Sequence, residues 1–242
     1  MGDVVDISSL STTIYLAIIP SILLCIYVYQ MDVIEKEPVH LLFLLFFLGF
    51  LITVPARFFE KIFISSFNIT GEDLFSNFLL AFVVIALVEE GYKFIILFAS
   101  SWKNKEFDYK YDAIVYSVFI SLGFATLENV LYVQNSGLRV AFSRGIISVP
   151  AHAFYAIASG FFLGLAKEKS VNKNKAMSIV YILLAFLVPV LLHGLFDFLL
   201  LTENKELYGV FFSFVALLYI VSFYAIKKTH MDKNKLKKIR GR

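Results

Sequence analysis

Seven ionisable side chains stand inside stretches that are otherwise apolar: Glu89, Glu90, Lys93, Glu128, His152, His193 and Asp197. Their spacing groups them. Glu89 and Glu90 precede Lys93 by four and three residues, so on a helix either carboxylate reaches the ammonium. Consecutive helical residues differ by about 100°, so the two glutamates straddle a site and do not point the same way. His193 and Asp197 are four apart and share one helix face. Glu128 is followed by Asn129, a neutral donor and acceptor. Two imidazoles with several carboxylates suit Zn²⁺, which takes three protein ligands in a catalytic site and keeps a position open. Water on such a metal ionises near neutral pH, and a nearby Glu serves as general base. The same residues suit a metal-free scheme in which Glu and His activate water and other polar groups stabilise the oxyanion. A proton or ion pathway would use similar groups.

The elements that carry them are membrane spans. Of the 242 residues, 59% are hydrophobic and only 17% charged, with a mean hydropathy of +0.78. Soluble domains are about 45–50% apolar and about 25% charged. A soluble globule of this size could not hide that much apolar surface. The aromatic content excludes disorder, and a lone cysteine, Cys25, excludes a disulfide scaffold. Long continuous apolar runs predict an all-α, polytopic helical bundle rather than a barrel. Seven spans are expected, at 7–31, 39–54, 74–101, 113–133, 145–166, 176–201 and 207–226. Residues 1–226 read as one membrane domain and 227–242 as a basic tail. With Asp3 and Asp6 at its flank and no Lys or Arg there, the first span does not read as a signal peptide.

Lys and Arg concentrate on the cytoplasmic side of membrane proteins. Seven spans place sixteen of them on the side of the C-terminal tail and five, namely Arg57, Lys61, Arg139, Arg144 and Lys205, on the other. The expected N-terminus is therefore outside and the C-terminus cytoplasmic. The tail reads as a juxtamembrane stretch near anionic lipid, not a nucleic-acid arm. The amphipathic run 58–70 is expected at the outer surface, with Arg144 snorkelling towards it. Gly160 and Gly164 read as a close helix contact. His40 and His230, at a span edge and in the tail, are set aside.

The third span bears Glu89, Glu90 and Lys93, a penalty of about 7–10 kcal/mol on insertion scales. Its polar face must turn to other helices or to water. Pro150 and Pro189 lie two and four residues before His152 and His193, and kinks there would hydrate the imidazoles. No paired halves favour a transporter.

The motifs also form a familiar series. Glu89-Glu90-Gly91-Tyr92-Lys93 resembles the EExxK signature of the PrsW-type intramembrane proteases. Phe124 through Asn129 is similar to that family's second motif, a Phe four residues before Glu, then Asn. His152 stands where the third motif has a lone His, and His193 with Asp197 matches the fourth, His-x-x-x-Asp. The family is distantly related to the CAAX prenyl proteases, which carry Arg and His where this chain has Lys93 and Glu128. The resemblance implies cleavage of a single-pass membrane protein, for PrsW itself a membrane-bound anti-sigma factor in bacterial stress signalling. It also implies a bacterial cytoplasmic membrane location and chemistry customarily called metalloprotease, while the prenyl relatives have been argued to be glutamate proteases. On this reading Glu89 and Glu90 activate water and Lys93 neutralises them. Glu128, His152 and His193 are the candidate zinc ligands. Asp197 is a fourth ligand or orients His193. Asn129 completes the candidate set. A metal-independent or prenyl-protein peptidase and a proton-coupled transporter are the alternatives.

Overall fold

The computed structural model describes residues 7–202, 204–232, 234 and 236. Among them it is helical, with no strand. The elements are α1 (Ile7–Met31), α2 (Val39–Phe67), α3 (Leu74–Phe78), a π-helical stretch (Leu79–Ala86), α4 (Leu87–Ser101), α5 (Lys110–Ile146), α6 (Ser148–Val171), α7 (Lys175–Leu201), a 3₁₀ turn (Lys205–Leu207) and α8 (Tyr208–Thr229). Six of the expected spans are helices long and apolar enough to cross a membrane. The third, 74–101, is helical as well but divided between α3, the π stretch and α4. The acidic flank at Asp3 and Asp6 and the tail residues 237–242 lie outside the described residues.

The bundle is arranged around α5. Its membrane-crossing part is largely buried, whereas α1, α2, α7 and α8 turn most of their surface outward. The outward residues are apolar, as Phe43, Val39 and Ile220 show. That polarity suits lipid and not water. α5 packs on α1, α2 and α6, and α6 on α7. Close approach depends on small residues, as in membrane helices generally. A Cβ at Gly160 would lie 2.5 Å from the Ala113 carbonyl oxygen, so the expected contact is α6 on α5. Hydroxyls reinforce the same seam: Ser117 donates to the Ala156 carbonyl (2.6 Å) and Ser121 to that of His152 (2.9 Å).

Three boundaries differ from the sequence reading. The run 58–70 is not a separate surface segment, because α2 continues through it to Phe67 and buries Glu60. The expected loop between 133 and 145 is helical, since α5 runs to Ile146. Arg144 Nε donates to Asn129 Oδ1 at 2.7 Å although fifteen residues separate them. A straight helix would hold them about 22 Å apart, so α5 is not straight from Asn129 to Arg144. Pro150 does not kink a span. It falls in the first turn of α6, where proline withdraws no intrahelical hydrogen bond. Pro189 is interior to α7, as expected.

Candidate active site

Four helices bring the polar residues together. The face of α4 presents Glu89, Glu90 and Lys93, all buried. Lys93 Nζ donates to Glu90 Oε1 at 2.8 Å and to Glu89 Oε2 at 3.3 Å. It also lies 3.1 Å from His152 Nδ1 on α6. Beneath it the Phe124 ring of α5 sits with its centroid 4.3 Å from the ammonium, a cation–π contact. Phe124 is one turn before Glu128, so one α5 face supplies both the ring under Lys93 and the next carboxylate.

His152 joins α5 to α6. Lys93 donates to Nδ1, which leaves Nε2 to carry the proton given to Glu128 Oε2 at 2.9 Å. The two oxygens of Glu128 are fully engaged. Oε1 accepts from Arg57 at 2.9 Å, and Oε2 from Arg144 at 3.1 Å as well as from His152. Both guanidiniums also lie over the Tyr132 ring. His193 lies between carboxylates, Nδ1 2.9 Å from Glu90 Oε1 and Nε2 3.4 Å from Asp197 Oδ2. Asn129 points elsewhere: its amide donates to the Ala17 carbonyl on α1 and its oxygen holds Arg144. Asn129 thus anchors α1 and a guanidinium.

A cavity of about 70 Å³ adjoins this cluster, lined among others by Glu128, His152, Tyr155, His193 and Asp197. One water needs about 10–15 Å³ on the same measure, so a few waters fit beside the imidazoles. Tyr155 is buried and stacks on His193 at 4.8 Å, and among the described residues its hydroxyl has no hydrogen-bond partner. Glu89 Oε1 is likewise buried and unpartnered.

The family model described as PrsW family intramembrane metalloprotease matches residues 37–226. The chain belongs to the PrsW family of intramembrane proteases. It is 37% identical over 213 residues to Protease PrsW of Oceanobacillus iheyensis, covering 88% of this chain and 94% of that one. It is 36% identical to Protease PrsW of Clostridioides difficile, over 88% of this chain and 89% of that one. The Bacillus subtilis Protease PrsW is 37% identical over 79% of this chain and 84% of its own. No solved structure matches. With its membrane-length helices, the chain is a multi-pass bacterial membrane protease.

The PrsW family description implies a metal, and the donors can be tested for it. Oxygens of Glu89 and Glu90 and a nitrogen of His152 lie within 4.8 Å of one another, and Glu89 keeps a free oxygen. One imidazole nitrogen and two carboxylates fit zinc in type and number. Lys93 Nζ contacts the same three residues and competes for their lone pairs. The ligands expected from the sequence, Glu128, His152 and His193, are neighbours, with the two imidazole centroids 5.4 Å apart, but Glu128 is already held by two arginines.

Sequence reasoning missed Arg57, Glu60, Arg144 and Tyr155 as parts of this site. Arg57 and Glu60 form a 3.0 Å ion pair three residues apart, just past the expected end of the second span. That i, i+3 pair was the available signal. Tyr155 follows His152 by three residues and so shares its helix face.

Proposed function

We propose that this chain hydrolyses a peptide bond of a single-pass membrane protein, with a membrane-bound anti-sigma factor as the substrate type the family resemblance implies. The observation that carries the reading is the buried convergence of Glu89, Glu90, Lys93, His152 and His193 from three helices, bonded to one another beside a small polar cavity. Such a cluster inside lipid is costly unless it is used.

Each residue has a part. In the metal-free scheme Glu89, with its free buried oxygen, takes the proton of the attacking water. Lys93 holds both carboxylates in place and fixes the His152 tautomer. His193, placed between Glu90 and Asp197, carries a proton towards the leaving amine. The Tyr155 hydroxyl donates to the oxyanion of the tetrahedral intermediate. Zinc, if bound, would be held by Glu89, Glu90 and His152 and would lower the pKa of a water and polarise the carbonyl.

The test is reconstitution of the purified chain with a single-pass membrane protein, with cleavage followed by mass spectrometry. Wild type is expected to cleave the substrate, and Glu90→Gln and His193→Ala to lose at least about 10²-fold in rate. Cleavage at the wild-type rate by either variant overturns the assignment. Ion flux into the liposomes without cleavage would make the chain a transporter instead. Metal analysis with chelator treatment separates the two chemistries: stoichiometric zinc and loss of activity support the metal, and full activity without metal supports the glutamate scheme.

A further inference from the structure

A second group of carboxylates lies apart from the protease cluster. Asp32 follows the last residue of α1, Glu37 precedes the proline that opens α2, and Asp112 lies in the first turn of α5. All three are buried, with 3%, 5% and 1% of their surfaces exposed. One oxygen from each lies within 4.8 Å of the other two.

Their hydrogen bonds do not use up the cluster. Asp112 Oδ2 caps α5 by accepting the backbone N–H groups of Asp108 (2.9 Å) and Tyr109 (2.7 Å), and this leaves Oδ1 buried with no partner among the described residues. Asp32 Oδ2 is also buried and unpartnered. Glu37 Oε2 accepts the Tyr116 hydroxyl at 2.5 Å. The neighbouring Lys36 is exposed and donates to the carbonyl oxygens of Tyr29 and Gln30. Two orphaned oxygens in an enclosed group of three carboxylates carry a cost of several kcal/mol unless a positive charge meets them.

We infer that Asp32, Glu37 and Asp112 form a binding site for a hard divalent cation, separate from the catalytic cluster. Two ligands on opposite sides of Ca²⁺ at about 2.4 Å stand about 4.8 Å apart, so the three oxygens fit within one coordination sphere. The donors are all oxygen, which selects Ca²⁺, Mn²⁺ or Mg²⁺ over zinc. The bound ion ties the α1–α2 turn to the start of α5, the helix that carries Glu128. The inference does not depend on the protease reading, and cleavage is not its readout.

Mn²⁺ is the probe. Full-length protein carrying Glu90→Gln and His152→Ala, which disables the other donor set, is titrated with Mn²⁺ in detergent and followed by electron paramagnetic resonance. One bound Mn²⁺ per chain is expected, displaced by Ca²⁺. Adding Asp32→Asn or Glu37→Gln is expected to weaken it about tenfold or more. Neither side chain holds the N-terminal N–H groups of α5 as Asp112 does, so their variants remain informative where Asp112→Asn misfolds. No binding at millimolar Mn²⁺, Ca²⁺ or Mg²⁺ would show that the carboxylates share protons instead and would overturn the inference. Binding unchanged in both variants would do the same.

Discussion

Tyr155 shows how a single atom can matter here. Its ring stacks on His193 and is buried, and its hydroxyl has no partner. A buried phenol normally finds an acceptor. On the proposed mechanism the missing acceptor is the oxyanion that exists only during reaction. Tyr155→Phe removes one oxygen and keeps the stack, so kcat is expected to fall about 10²–10³-fold, as for other lost oxyanion donors, with KM nearly unchanged. Steady-state cleavage kinetics on a single substrate decide it. An unchanged kcat would leave Tyr155 a packing residue. The sequence could not have shown this, because a tyrosine within a span carries no insertion penalty that marks it. Glu89, Glu90, Lys93, Glu128, His152, His193 and Asp197 were legible because each violates the apolar pattern around it. Arg144 shows the opposite failure. Read as a snorkelling residue in a loop, it instead contacts Glu128 and Asn129.

At the scale of elements, the α5–α6 seam sets the distance between Glu128 and His152. Gly160 meets the Ala113 carbonyl and Gly164 that of Lys110, so the two backbones approach with no side chain between them. Gly160→Leu would force them apart and is expected to lower the unfolding midpoint in detergent, at a cost of about 1–3 kcal/mol or more. Cleavage should fall with it, since His152 Nε2 would leave Glu128. Full stability and activity in that variant would show that the seam is soft. Helix number and most centres were legible from apolar runs. The ends of α2 and α5 were not, because both continue through polar or charged residues that resemble loop composition. Arg57 also pairs with Glu128, 71 residues further along the chain, and no local pattern reveals that second partner.

For the molecule as a whole, the unequal distribution of Lys and Arg predicts orientation. Cys25 is buried, so a Cys25→Ser background serves for labelling. Lys205→Cys should react with an impermeant maleimide in intact cells, and Lys173→Cys only after the membrane is opened. The reverse pattern would invert the topology. The π-helical stretch has a further consequence for the whole bundle. Phe82 within it sits against Gly194, next to His193, while the stretch leads directly into the turn that holds Glu89 and Glu90. Bonds from i to i+5 let each residue wind less than the about 100° of an α-helix, so the stretch behaves as a vernier between two otherwise rigid rods. A chain one residue shorter there would keep its hydropathy and its number of crossings, yet its acidic pair would face lipid.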